Sequence, residues 1–388
     1  MMVSNALLHL VLIASSLARA SAWSKDVRAA LDRSRHRADR YGEGLVPHAH
    51  RDLWPAETWT ENSMPRDRTA YARVCYYVVE VEAWAAEGGL QPEGIDPELC
   101  THLNLGWAVI TENLTLEWSG VPPENTVEVL RRIYSLRREN PDLKILLTVG
   151  GGGGEFGFPR AAASTENRNA FAGNAARFLL NYGLDGLDLD WEFPAWFHPY
   201  EERRNFSLLV QALHRELKAP PYSLLLSVAV AASKTVVDQA YEVAPLSKYV
   251  DHVNLMSYGF NAYHWYTPYA AHNAPLYARS VEHAYFATLN TDWAAQYWNH
   301  LGMPRSKIFV GIPTYGHTYK LLFEEHHVPG SAVVDSGSGN GSIPYFDVCS
   351  LLNASGSHRE WDREARVPYA YSGREWISYD DLESIQLK

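Results

Sequence analysis

Residues 184–194, Leu-Asp-Gly-Leu-Asp-Leu-Asp-Trp-Glu-Phe-Pro, restrict the fold more than any other stretch of the chain. Side chains along a strand alternate between its two faces. In that register Asp188, Asp190 and Glu192 share one face, while Leu187, Leu189, Trp191 and Phe193 share the other. An apolar outer face with an acidic inner face is the wrong polarity for an ordinary half-buried strand. It suits a parallel barrel, whose outside packs on helices and whose inside carries chemistry near the C-terminal ends of the strands.

Three carboxylates in a row are costly. Like charges a few ångströms apart in a poorly solvated site cannot all ionise, so at least one pKa must rise. A carboxyl that keeps its proton near neutral pH is a general acid, which cleavage of a glycosidic bond requires. Glu192 is the best acid candidate. It stands last in the row, nearest the mouth, between Trp191 and Phe193, which limit water. Two blander readings compete. A solvated acidic edge fits poorly with the large apolar residues at alternate positions. A divalent-metal site fits poorly because no His or Cys joins the row and hard cations need more oxygen ligands.

The chain around this stretch alternates strands and helices. Strands are expected at 74–79, 101–109, 143–149, 184–194, 223–231, 251–258 and 307–313. Helical patterns occupy 125–140, 167–182, 205–218 and 291–301, with Pro141 and Gly183 as stop signals. This order predicts an α/β chain, a parallel (β/α) barrel of the TIM type. After about Tyr319 the alternation stops, and short β-like runs follow at 367–371 and 376–379. The glycines after strand three include a G-x-G-x-x-G spacing, Gly152, Gly154 and Gly157. No clear acidic residue follows at the end of a strand about 20 residues on, so a dinucleotide site is not the reading.

Asp185, Asp188, Asp190 and Glu192 reproduce D-x-x-D-x-D-x-E with every spacing intact. On these residues the chain resembles glycoside hydrolase family 18, the chitinases and chitinase-like lectins, and the resemblance runs from about Arg73 to Lys388. It implies a (β/α)8 barrel over 71–318, with a small α+β insertion over 319–388. The family's eighth strand would come after Lys388, so the resemblance implies a chain that stops short of it. Cys349, which in the family pairs with a later cysteine, points the same way.

The resemblance also implies roles. In this family the substrate's own acetamide is the nucleophile. Glu192 would protonate the leaving oxygen and later activate water. Asp190 would hold the acetamide and share a proton with Asp188. Tyr258 would hydrogen-bond the acetamide carbonyl, and Asp185 would be structural. Tyr76, Trp107, Gly151 and Met256 match the lining of the central sugar site, and Tyr315 and His317 match its opposite wall. Plain barrel core is an equal reading for Met256 and Trp107. Departures stand at Gly259, Gly152 and Glu80, where the family carries a carboxylate and two aromatic residues. Trp196, Phe197 and Tyr200 are candidate substitutes for the lost platforms, or loop packing. The expected partner is chitin or a chito-oligosaccharide, bound by a monomer with no cofactor and no metal.

The 388 residues allow one such barrel plus an insertion, and a 46% apolar content is that of a globular chain. A net charge of −11 argues against nucleic acid or an anionic membrane as partner. Residues 1–22 resemble a secretory signal: an apolar run at 6–17 precedes Ala18-Arg19-Ala20 and Ala20-Ser21-Ala22. That run is too short to span a bilayer. An extracellular protein is therefore expected. Residues 23–70 lack a sustained apolar period and are expected to be a poorly ordered leader, in which His48 and His50 are not read as a metal site. Cys75 and Cys100 bracket the first strand and its loop, and a disulfide between them is expected in a secreted chain, as the family also implies. Sequons stand at Asn113, Asn205, Asn340 and Asn353.

Overall fold

The computed structural model describes residues 71–79, 89–154 and 156–388. The signal segment, the leader with His48 and His50, and Glu80 lie outside the described residues.

Seven parallel strands form a curled sheet: β1 (Val74–Val78), β2 (His102–Ile110), β4 (Lys144–Gly150), β5 (Gly186–Asp190), β6 (Leu225–Ala231), β7 (His252–Met256) and β8 (Ile308–Val310), with β3 (Leu116–Trp118) antiparallel on β2. Spatial order follows chain order, as a wound barrel requires. Among the described strands β1 pairs only with β2 and β8 only with β7, so the sheet is an open half-barrel.

Alternation along these strands builds two environments. Leu105, Leu147, Leu187, Leu189, Val228, Val230, Val253 and Leu255 point outward and are fully buried against helices. Asn104, Thr148, Asp188, Ser227 and Asn254 point inward and are buried as well. The register sets Thr148 beside Asp188 and Asp188 beside Ser227, so the polar layer is contiguous.

Helices α1 (Thr126–Tyr134), α2 (Gly157–Ala163), α3 (Thr165–Tyr182), α4 (Glu201–Leu217), α5 (Lys234–Ala240), α6 (Val243–Tyr249) and α7 (Thr291–His300) connect the strands. Ser164 caps α3 by accepting the Asn167 amide, and Gly183 ends it in the left-handed conformation at φ 70°. Trp191 lies on the outer face as its alternation predicts. Its ring stacks on Phe158 at 5.2 Å and meets Phe206 edge-on at 5.6 Å, tying the end of β5 to α2 and α4.

The acidic stretch is not one strand through to Pro194. Pairing ends at Asp190, and Glu192 lies in the loop that follows. Helix α4 starts at Glu201, four residues before the sequence pattern places it.

A second, antiparallel sheet holds β9 (Tyr315–Leu321), β10 (Val333–Ser336), β11 (Ser342–Pro344), β12 (His358–Asp362), β13 (Val367–Ser372) and β14 (Glu375–Ser378), with α8 (Tyr345–Leu352) and α9 (Leu382–Leu387). One face packs Tyr319, Leu321, Val333 and Trp376 with Ala270, and the other packs Ile343, Val348, Ile377 and Tyr379. The boundary drawn at 318/319 falls inside β9, and the Gly/Ser-rich 330–342 stretch contains β10. Asn113, Asn340 and Asn353 are exposed, whereas Asn205 is half-buried within α4.

Cys75 and Cys100 form a disulfide with a Cα–Cα distance of 5.9 Å, closing a loop between β1 and β2. Cys349 is a free cysteine. Loop closure over a separation of 25 residues stabilises by roughly 3 kcal/mol. Replacing both cysteines by serine is expected to lower the unfolding free energy by about that amount, read from urea denaturation midpoints under non-reducing conditions.

Candidate active site

Asp188 is fully buried in the polar layer of the half-barrel. A bare carboxylate there would be strongly disfavoured, and four donors from four strands converge on it. Tyr76 Oη donates at 2.8 Å and Thr148 Oγ1 at 3.2 Å to Oδ2, while Ser227 Oγ donates at 2.6 Å and Asn254 Nδ2 at 3.1 Å to Oδ1. Burial pushes the Asp188 carboxyl above its ordinary range, and these hydrogen bonds pull it part of the way back.

Asp190 sits two residues on, at the end of β5, and is also buried. Its Oδ1 has no hydrogen-bond partner among the described residues. Burial pushes its carboxyl well above the ordinary range, and the charges of Glu192 and then Asp188 push it further. The three acids therefore remain an interacting row although Glu192 has left the strand. Asp188, held by donors, is the one suited to carry charge, and Asp190 is the one suited to carry the proton.

Glycines shape the approach to this row. A Cβ on Gly150 would lie 2.2 Å from the Asp190 carbonyl oxygen, and the Gly151 amide donates to that oxygen at 2.9 Å. A Cβ on Gly151 would meet the Trp107 ring at 2.9 Å. Trp107 lies 6.3 Å from the Tyr76 ring. Tyr76 is 40% exposed, yet its hydroxyl end is held against Asp188.

Beyond β7, which ends at the half-buried Met256, Tyr258 faces the row. Burial and then the facing Asp190 charge raise its hydroxyl far above the ordinary tyrosine range, so it is a donor at any working pH. Tyr258 meets Tyr315 edge-on at 6.1 Å, and Tyr315 lies 5.5 Å from His317. Burial lowers the pKa of His317. Its Nδ1 is 2.6 Å from the carbonyl oxygen of Asn261, which can only accept, so Nδ1 carries the proton and Nε2 is left as an acceptor.

Of the ten sequence-predicted site residues, Asp188, Asp190, Glu192, Tyr76, Tyr258, Tyr315 and His317 are linked by the interactions above, Trp107 and Gly151 adjoin Tyr76, and Met256 ends β7 two residues before Tyr258. Asp185 stands apart: its carboxylate pairs with Arg137 and accepts the Ile145 amide at 2.6 Å, fastening β5 to β4.

Several residues escaped the sequence reading. Ser227 and Asn254 hold Asp188 but match no local motif. Tyr241, fully buried, accepts the Ala231 amide at 3.2 Å and feels the charges of Asp190 and Glu192. Asn273, also fully buried, binds the Gly259 amide through Oδ1 at 2.8 Å, and its own amide donates to Ser378 Oγ at 2.8 Å. It therefore locks the loop that carries Tyr258 to the second sheet. Gly259 itself has φ 67°, and nothing lies within 4 Å of the Cβ it lacks. Among the described residues no group of three or more His, Cys, Asp or Glu is arranged to hold a metal.

This fold and this carboxylate row define the barrel glycosidase class. The sequence profile of Glycosyl hydrolases family 18 matches residues 72–388. The chain belongs to that family. It is 33% identical over 332 residues to Chitinase-3-like protein 2 of Homo sapiens, covering 82% of each chain. Among solved structures it matches the immunomodulatory active chitinase TsES1 of Trichuris suis with TM-score 0.75 and 32% identity, covering 82% of this chain and 87% of that one. It matches human YKL-39, described as a pseudo-chitinase with retained chitooligosaccharide binding, with TM-score 0.74 and 31% identity, covering 82% and 88%.

The raised carboxyls make stability depend on pH. A carboxyl whose folded pKa lies above its unfolded value of about 4 contributes stability in the protonated form, and that contribution is lost as pH rises through the folded pKa. Wild-type stability from urea unfolding is therefore expected to fall from pH 4 towards pH 8. Asp190→Asn removes the group with the larger upward push, so its curve is expected to be flatter, with the variant gaining on wild type at pH 8.

Proposed function

We propose that this chain is a secreted chitinase that hydrolyses β-1,4-linked N-acetylglucosamine with retention of configuration. The observation that carries this reading is the row Asp188–Asp190–Glu192. Its first member is held by four hydrogen bonds, and its second is driven to keep a proton beside the third.

Glu192 donates its proton to the glycosidic oxygen as the bond to the anomeric carbon breaks. The acetamide carbonyl oxygen of the same sugar attacks that carbon and forms a cyclic oxazolinium ion. The Tyr258 hydroxyl donates to the acetamide carbonyl and orients it. The Asp190 carboxyl oxygen that has no partner among the described residues accepts the acetamide N–H and offsets the positive charge that develops there. As that charge develops Asp190 shares its proton with Asp188, whose hydroxyl partners Tyr76, Thr148 and Ser227 can turn from donating to accepting, and the proton returns to Asp190 when the intermediate is hydrolysed. The Glu192 carboxylate then removes a proton from water, whose oxygen bonds to the anomeric carbon as the bond from that carbon to the acetamide oxygen breaks, which frees the sugar and leaves Glu192 protonated as at the start. Tyr76, Trp107 and Met256 line the reacting sugar, while Gly151 keeps the loop close to Trp107. Tyr315 and the His317 Nε2 acceptor form the facing wall.

A second reading is a chitin-binding lectin with weak or no turnover. Gly259 favours it, because the carboxylate expected there is replaced by open space next to Tyr258. The similarity to YKL-39 supports the same alternative. An extracellular, glycosylated monomer completes the proposal. The N-terminal apolar run and the sequons support it, and among the described residues no helix is long and apolar enough to cross a membrane.

Hydrolysis of a fluorogenic chito-oligosaccharide separates the readings. Glu192→Gln is expected to lower kcat by at least about 10²-fold, with oligosaccharide binding retained. Tyr258→Phe is expected to lower kcat more than it raises KM. A folded wild-type sample that binds chito-oligosaccharides without turnover would establish the lectin instead.

A further inference from the structure

Asn273 fastens the Tyr258 loop to the second sheet, and a buried ion pair at the end of α9 stands behind that fastening. Residues 272–274 form a short strap that acts as a template for 259–261. The Gly259 amide donates to Asn273 Oδ1 at 2.8 Å, the Phe260 amide to the Asn273 carbonyl at 3.0 Å, and Asn261 Nδ2 to the His272 carbonyl at 3.0 Å. The three residues that follow Tyr258 are therefore all bound to the strap.

The strap is held in turn from the second sheet. The Asn273 amide reaches Ser378 Oγ, and the carbonyl of the next residue, Ala274, accepts from Lys388 Nζ at 2.6 Å. Lys388 also donates to the two carboxylate oxygens of Asp380, at 2.6 and 2.7 Å. An ammonium has three N–H donors, and these three acceptors use all of them. Asp380 stands two residues after β14 and accepts from Ser384 Oγ on α9 at 2.7 Å. Both side chains are closed to solvent, Lys388 at 0% exposure and Asp380 at 1%.

A desolvated ion pair is a poor source of stability, because apolar residues of similar volume often do as well or better. Apolar residues cannot supply a directed bond to the Ala274 carbonyl. Helix α9 does not need the pair to begin, since the Asp381 side chain already accepts the Glu383 and Ser384 amides as a cap.

We propose that Lys388 and Asp380 are positioning residues for Tyr258. The pair fixes Ala274, and through the strap it fixes the backbone that carries the Tyr258 hydroxyl. The inference rests on the role proposed for Tyr258 in turnover, and it adds that the end of α9 sets the placement of that group. Local sequence gives no sign of this, because Lys388 lies 114 positions from Ala274.

The test has two readouts. The first needs no turnover: amide hydrogen exchange at Gly259 and Phe260. Lys388→Met is expected to speed both about tenfold, while the amides of β5 keep their protection. The second is kinetic, on a chito-oligosaccharide. Lys388→Met is expected to lower kcat about tenfold and to change KM by less than about twofold. In the Tyr258→Phe background the same substitution is expected to lower kcat by no more than about twofold further, because both changes act on one group. Lys218→Met, which cuts the Lys218–Asp251 pair beside the start of β7, is the control. It is expected to lower stability and to leave kcat and both amides unchanged. Asp380→Asn/Lys388→Met, which leaves no buried charge, carries the test if the single variant does not fold. Losses that multiply in the Tyr258→Phe background overturn the proposal. So does unchanged exchange at Gly259 and Phe260, or an equal loss of kcat in Lys218→Met, which would mark the pair as merely structural. If the wild-type chain shows no turnover, the catalytic reading fails, and the exchange readout alone decides whether the pair positions the Tyr258 loop.

Discussion

The removal of Asp188 from water is the constraint on which the rest of the site depends. A buried carboxylate is tolerable only when its lone pairs are satisfied. Tyr76, Thr148, Ser227 and Asn254 come from β1, β4, β6 and β7, so satisfaction requires most of the half-barrel to be correctly registered. A slip of one residue in any of these strands would turn its donor outward and leave the charge unpaired. The chemistry of the row and the curvature of the sheet are thus one problem. The same enclosure that makes Asp188 demanding raises Asp190, whose proton has no equally good place to go.

Two sheets share the task of building the cleft. The parallel half-barrel supplies the acids and Tyr258, and the antiparallel sheet brings Tyr315 and His317 up to face them. Asn273 is the fastening between the two, because its side chain holds the Gly259 amide and its backbone reaches Ser378 on β14. Asn273 is fully buried, so losing either bond would leave a buried polar group unpaired.

The chain is similar both to an active chitinase and to a pseudo-chitinase. Glu192, Asp190 and Tyr258 are all present, and the departure nearest to them is Gly259. A glycine at φ 67° keeps the turn that a longer side chain would strain, yet offers no carboxylate to the sugar. Chemistry and recognition are therefore separable here. The acids are retained in full, and part of the polar lining is not.

Local sequence determined a good deal on its own. Alternation in 184–194 identified an acidic inner face and an apolar outer one. The helix and strand periods ordered the barrel, and the motif spacing singled out Asp188, Asp190 and Glu192, whereas Tyr258 followed only from the family resemblance. These are properties of neighbours a few residues apart, which the backbone period alone brings to one side. Only the tertiary structure decided that β5 ends at Asp190, that β9 begins before residue 319, and that Ser227, Asn254, Tyr241 and Asn273 support the site. Ser227 and Asn254 lie 39 and 66 positions from Asp188, and Asn273 lies 14 positions from Gly259 and 105 from Ser378, and no local pattern encodes a partner at such separations.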